Sequence, residues 1–370
     1  MTRFVCFTLL LGLIGSSCAK KNASAEPVMS NAAPSAPPGA ALAPAPAPPA
    51  PTNPAMQANP DMAKVLGELA SLGGKPIETL TPAEARKQPT PTDAVLALLK
   101  KEGKSTAPEE VGKVENRKIR SGDVRIYTPK TGKAPFPVVV YYHGGGFVIA
   151  DLNVYDSTPR ALANGAEAVV VSVEYRKAPE NKFPAAHDDA IAAYQWVLNN
   201  AASFGGDPKR IAVAGESAGG NLAANVSMAA RDKGLTLPLH QLLVYPVASS
   251  DTNAPSYVEY ADAKPLNKPM MLWFVDKYFR SPADGTDPRI DLVNAKLKGL
   301  PPTTIINAQI DPLLSDGEKL AHALREAGVP TERKTYAGVT HEFFGMGAVV
   351  GAAKDASAFG ASQLKASFKK

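Results

Sequence analysis

Ser217 stands between two glycines in the run Gly215-Glu216-Ser217-Ala218-Gly219, and this spacing is the first feature of the chain able to do chemistry. A serine hydroxyl is a weak nucleophile until a base takes its proton. The five histidines are therefore the residues to weigh next. His322 falls inside the helical pattern EKLAHALREAG. His240 lies in an apolar strand pattern and reads as packed. His187, in FPAAHDDA, opens a helix and reads as a local cap. His143 leads a glycine run, and His341, in AGVTHEFFG, follows a strand pattern and sits in a late loop. In the chain order nucleophile, acid, histidine only His322 and His341 qualify, and a loop suits a base better than a mid-helix position. The expectation is His341.

The acid that orients the imidazole should follow a late strand. Asp311 comes directly after the apolar run TTIINAQI. Asp316 stands just before a helical pattern, where capping accounts for it, and it is kept as the backup or supporting acid. A further device is HGGGF, His143 to Phe147, with Gly144, Gly145 and Gly146 in succession after a buried strand. Bare amides on such a loop can face a developing oxyanion, and losing one such donor costs about a hundredfold to a thousandfold in rate.

These residues need elements to hold them. RIAVAG reads as a short apolar strand and NLAANVSMAARDKG as a helix, so Ser217 sits at a strand-to-helix switch. The flanking glycines let the two backbones approach, and the helix start aims the Ala218 amide toward the hydroxyl. Elsewhere PVVVYYHGGGF, AEAVVVSVEYR, LHQLLVYP and TTIINAQID read as apolar strands between helical patterns, including DDAIAAYQWVLNNAASFG and DGEKLAHALREAGV. Apolar strands alternating with helices predict a mostly parallel sheet covered on both faces. RKIRSGDVRIYTP reads as a hairpin. Three helices precede every strand: DMAKVLGELASLGG with Asp61 as cap, LTPAEARKQ with Thr81 as cap, Pro82 first and Glu84 third, and TDAVLALLKKEG. They read as a cap over the site.

The ordered set LTPAEAR, HGGGF, EYRKAPENKFPAAHDD, GESAGG, LKGLPPT, IDPLLSDG and GVTHEF resembles the hormone-sensitive-lipase-like esterases of the α/β-hydrolase fold. The resemblance runs from about residue 61 to the C-terminus. It implies an α/β fold with a mostly parallel central sheet flanked by helices and an N-terminal helical cap. It also implies a Ser217, Asp311, His341 triad, with oxyanion donors from the backbone of Gly145, Gly146 and Ala218. His143 would orient the glycine loop, with Gly144, Glu216 and Asp316 in supporting places. Part of residues 255–285 would add to the cap over residues 116–370, alongside residues 61–115. The implied activity is hydrolysis of small, short-acyl esters through an acyl-enzyme, without metal or cofactor. Three residues depart from the common pattern: Glu216, where Asp or Thr is frequent, Lys177, where Leu is frequent, and Glu342, where Gly or Ala is frequent. The competing readings are an amidase, peptidase or lactonase with the same triad, and a non-catalytic small-molecule binder on this scaffold.

The bulk numbers agree. A chain of 370 residues, 45% hydrophobic and 20% charged, can build a large core. Its net charge of +5 is spread without a dense basic run or interleaved aromatics, which argues against nucleic-acid binding. The two cysteines, Cys6 and Cys18, lie near the start, so neither a disulfide framework nor a Cys-rich metal site is expected, and the histidines offer no paired zinc spacing.

The start itself reads as an address. Arg3, an apolar run from Phe4 to Ile14 and the small residues before Cys18 fit a signal peptide over residues 1–18. The end of that segment resembles a bacterial lipobox, with Gly15 where Leu is usual, and Cys18 as the lipidated residue. With Ala19 following, the resemblance implies anchoring at the outer membrane of a Gram-negative envelope; secretion as a soluble periplasmic or exported domain is the alternative. Residues 19–60, rich in Ala and Pro, read as a disordered tether. About forty residues in polyproline form would reach roughly 120 Å.

Overall fold

The computed structural model describes residues 57–369. The expected signal segment, Cys18 and most of the tether lie outside the described residues.

An eight-stranded sheet organises the chain, in the order β1-β2-β4-β3-β5-β6-β7-β8. The hairpin expected from RKIRSGDVRIYTP forms β1 (Lys113–Ile119) and β2 (Gly122–Thr128), which pair antiparallel. β2 also runs antiparallel to β4 (Val169–Val173). From there β3 (Phe136–Tyr142), β5 (Gly206–Glu216), β6 (Gln241–Val244), β7 (Thr303–Ile310) and β8 (Thr331–Thr340) are parallel. Val140 lies between Val171 of β4 and Val213 of β5, and side chains of these central strands are buried on both faces. That burial explains why the strands read as continuous apolar runs rather than alternating ones.

Two apolar layers cover the sheet. On one face α5 (Ala185–Asn200), α6 (Ala218–Asp232) and α9 (Leu314–Glu326) pack with Val138, Val140, Val213 and Leu243. On the other, α4 (Ser157–Ala166) and α10 (Gly351–Ser367) pack with Val139, Tyr141, Ala212 and Leu242.

The N-terminal helices form where expected, with one change of cap. α1 spans Pro60–Ser71, so Asn59, not Asp61, occupies the capping position. Asp61 instead accepts from its neighbour's amide at Met62 and from Gly351, the first residue of α10, each at 2.8 Å. α2 (Pro82–Ala85) has the anticipated reciprocal Thr81–Glu84 capping box, and α3 (Pro91–Lys101) repeats the device with Thr90 and Asp93. Met62, Val65, Ala94, Val95 and Leu99 enter the same cluster as Tyr141 and Phe343, so α1 and α3 are seated in the body. Residues 74–91 and α8 (Lys268–Tyr278) lie over the sheet's carboxyl end, where Trp273 donates to the Leu80 carbonyl at 3.1 Å. α7 (Pro255–Glu259) joins them beside α9.

Candidate active site

Ser217 occupies the one-residue turn between β5 and α6, with φ 56° and ψ −119°, a backbone region in which only glycine is at ease. The surrounding backbone enforces it. The Ser217 amide donates to Val244 of β6 at 2.9 Å, and its carbonyl accepts from Val247 at 3.2 Å. The glycines at either side are needed for approach: a methyl on Gly215 would lie 2.1 Å from the Gly219 carbonyl oxygen, and one on Gly219 would lie 1.9 Å from that of Tyr142.

Two other strand ends bring the partners. Asp311 directly follows β7, is fully buried, and fixes its orientation by accepting from the Leu313 amide at 2.8 Å. His341 directly follows β8. Its Nδ1 lies 2.7 Å from Asp311 Oδ2, and its Nε2 lies 3.0 Å from Ser217 Oγ. Since a carboxylate can only accept, Nδ1–H donates to Asp311 and Nε2 is left to accept from the serine hydroxyl. Burial pushes the imidazole pKa down; the Asp311 carboxylate, joined by Glu342 and Glu216, pushes it up, and the net shift is upward.

The glycine loop meets the same space. Gly145 and Gly146 have positive φ, 99° and 58°, and among the described residues their amides donate to no backbone carbonyl. Both line a cavity of about 470 Å³ together with Ser217 and His341. His143 is buried beneath the loop, with its Nδ1–H directed at the Gly144 carbonyl at 2.7 Å and its ring stacked on Tyr175 at 4.4 Å. Tyr175 Oη donates to the carbonyls of His143 (2.9 Å) and Gly144 (3.1 Å). Burial lowers the His143 pKa, which keeps the ring neutral. Outside the loop, Arg86 of the cap holds the Val148 carbonyl at 2.9 Å and that of Ala178 at 2.7 Å, while pairing with both carboxylate oxygens of Glu180.

The two remaining predicted acids act differently. Glu216 is buried beneath the turn, accepting from Tyr141 Oη at 2.6 Å and from Tyr245 Oη. The Tyr245 ring rests against the His341 imidazole, centroids 4.5 Å apart. Asp316 is the third residue of α9 and not its cap; it accepts from the Ala248 and Ser249 amides at 2.9 and 3.0 Å. Burial pushes its pKa up to about 7. His187 is likewise no cap. It is buried in α5, bridging Tyr278 Oη (2.8 Å) and Asn221 Oδ1 (2.9 Å). His240, also buried, lies 3.0 Å from Thr304 Oγ1, and His322 is on an exposed face of α9.

The cavity lining divides by the core behind it. Met270, Met271, Phe274 and Tyr278 belong to the α5/α6/α9 layer, whereas Leu66, Leu69 and Val154 pack on the α4/α10 layer. Sequence reasoning missed Tyr141 and Tyr245, whose only sequence signal was an aromatic at or just past a strand end, and Tyr155, in the loop before α4, which carried none. Among the described residues no three His, Cys, Asp or Glu side chains group as metal ligands, and no helix is long and apolar enough to cross a membrane.

The chain is similar to known proteins in sequence and fold. Residues 139–345 match the family described as alpha/beta hydrolase fold. A carboxylesterase of Mycobacterium tuberculosis is 44% identical over 246 residues, covering 65% of this chain and 77% of that protein. An ethyl acetate hydrolase of Pseudomonas putida is 34% identical over 307 residues, covering 80% and 94%. Among solved structures, an esterase of Pyrobaculum calidifontis superposes with a TM-score of 0.74 at 37% identity, covering 84% of this chain and 98% of that one.

Proposed function

The chain belongs to the alpha/beta hydrolase fold family and is a carboxylester hydrolase, and we propose that it works through Ser217, His341 and Asp311 by way of an acyl-enzyme. One observation carries the reading: the unbroken series Asp311 Oδ2, His341 Nδ1, His341 Nε2, Ser217 Oγ, with links of 2.7 and 3.0 Å. His341 takes the Ser217 proton as Oγ adds to the ester carbonyl, and the resulting imidazolium is stabilised by Asp311. The amides of Gly145, Gly146 and Ala218 receive the oxyanion. His341 then returns its proton to the departing alcohol. A water, deprotonated by His341, adds to the acyl-enzyme; collapse releases the acid and restores Ser217.

The cavity of about 470 Å³, roofed by Met270, Met271 and Phe274, supports small esters with short acyl chains as the substrates. Ser217→Ala is expected to abolish turnover of a short aryl ester and labelling by a fluorophosphonate, with an unchanged circular-dichroism spectrum. Full turnover in that variant would end the assignment. We also propose that a lipid on Cys18 holds this domain at the outer membrane of a Gram-negative envelope. The support is the sequence alone: the apolar run before Cys18 and the Ala/Pro-rich tether after it. Cys18→Ala should move the activity from the membrane fraction to the soluble one; activity that stays membrane-bound would refute the anchor.

A further inference from the structure

Glu342 directly follows His341, and its backbone is left-handed, with φ 66°. It is half-buried and lines the cavity with Ser217 and His341. Its carboxylate takes a hydrogen bond from Tyr155 Oη at 3.3 Å. Burial raises its pKa, His341 and the Tyr155 hydrogen bond oppose this, Asp311 adds to it, and the buried Glu216 is a further charged neighbour. The other charged groups of the lining have partners or stand at the mouth. Lys177 is bound to Glu174 and the Ala150 carbonyl, and Arg86 to Glu180. Asp151 accepts from the Asn153 and Val154 amides, and Glu78 from Asn267. Lys75 and Lys264 are exposed, where water and salt screen them. An acid in the wall beside the reacting atoms therefore faces bound substrate with one phenol as its hydrogen-bonding partner.

We propose that Glu342 makes this site selective for esters that carry a cationic group, a quaternary ammonium or protonated amine, on the part of the substrate lying along the Leu66, Leu69 and Val154 wall. This rests on the hydrolase reading above. Tyr155, the hydrogen-bond partner of Glu342, and Phe343, its chain neighbour, pack in the layer that also backs those three residues, which places the acid and the wall on one side of the cavity. A cation there exchanges bulk water for a carboxylate in a partly desolvated site, where attraction between opposite charges is several times stronger than in water. The wall itself is aliphatic and suits the methyl groups of a quaternary ammonium.

The test compares choline butyrate with neohexyl butyrate, in which a tert-butyl group replaces trimethylammonium with nearly the same shape. The quantity read is the ratio of kcat/KM for the cationic over the neutral ester, in the natural chain and in Glu342→Gln. The ratio is expected to fall about tenfold in the variant, the size of a single partly screened charge pair. An equal ratio in the two proteins, with the neutral ester still hydrolysed through Ser217, overturns the inference and leaves the hydrolase reading standing. Parallel loss on both esters also overturns it and makes Glu342 a positioning residue for His341. A natural chain that hydrolyses neither ester overturns the inference together with its premise. Should the variant fail to fold, competitive inhibition of the natural chain decides: choline should inhibit neutral-ester hydrolysis at about tenfold lower concentration than neohexyl alcohol, and equal inhibition refutes the proposal.

Discussion

The turn that carries Ser217 and the cap that roofs it are held in different ways. Around Ser217 the contacts are backbone against backbone: its amide donates to the Val244 carbonyl, its carbonyl accepts from the Val247 amide, and glycines pack so closely on the Gly219 and Tyr142 carbonyls that no side chain fits. The cap is held largely by side chains: Arg86 reaches the Val148 and Ala178 carbonyls of the body, and within the cap Trp273 bonds the Leu80 carbonyl and Asn267 bonds Glu78. Backbone contacts are the same whatever side chains surround them, so they fix the reacting geometry. Side-chain contacts change with each substitution, and the cap is accordingly where substrate choice can vary without disturbing the chemistry.

Substitutions should separate the two regions by size of effect. Asp311→Asn removes the charge opposite the imidazole while keeping its shape, and kcat is expected to fall by about 10⁴. In the natural enzyme kcat/KM should fall as pH drops through the His341 pKa, because the base must be neutral. That limb lies above the ordinary imidazole value of 6.5, and a stopped-flow pH series on a neutral ester reads it. Gly146→Ala comes next. Its methyl would lie 2.3 Å from the Phe274 ring, on a residue with φ 58°, so the loop with its amides or the Phe274 ring above it must move. A fall in kcat of about 10²–10³ is expected in steady-state turnover of a short aryl ester.

Arg86→Met tests the cap. Its guanidinium is partly exposed, so the ion pair itself contributes little. The loss should be at most about tenfold, expressed mainly in KM and in a broadened acyl range. A fall in kcat as large as that of Gly146→Ala would erase the distinction between the regions. The smallest effect belongs to Asp316. Its native pKa of about 7 exceeds the unfolded value of about 3.9. The native state therefore binds this proton more tightly, and stability falls as pH rises through that window. Asp316→Asn keeps an oxygen for the Ala248 and Ser249 amides and removes the loss. Its Tm should be flatter between pH 5 and 8 and higher at pH 8, by about 2–4 °C for each kcal/mol recovered. Unchanged activity would mark Asp316 as structural.

Ser217 and Asp311 were legible in the sequence because each ends an apolar strand, and His341, after the largely polar β8, because it follows the acid in chain order and sits in a loop. The glycines were legible because close backbone approach leaves no other choice. Tyr155, Tyr245 and the Arg86 clamp were not, since nothing local tells which way a side chain will point across the fold. His187 misread as a cap for the same reason: its partners, Tyr278 and Asn221, come from distant elements. Among the helices that escaped the reading are the two on the sheet's second face. α10 is built largely of Ala, Gly and Ser, which give weak apolar periodicity, and α4 contains Pro159, Asn164 and Gly165, which weaken a helical pattern. Both helices form because they cover the sheet's second face, a tertiary demand invisible in a short window. Asp61 looked like a cap because it is an acid at a helix start; the helix begins one residue earlier, and Asp61 serves another helix.

The left-handed serine at the tip of the β5–α6 turn sets nucleophilicity against robustness. A non-glycine residue held there costs about 1–3 kcal/mol, a debt carried by the rest of the molecule. On the proposed mechanism, Ser217→Gly would therefore yield a sturdier protein without turnover.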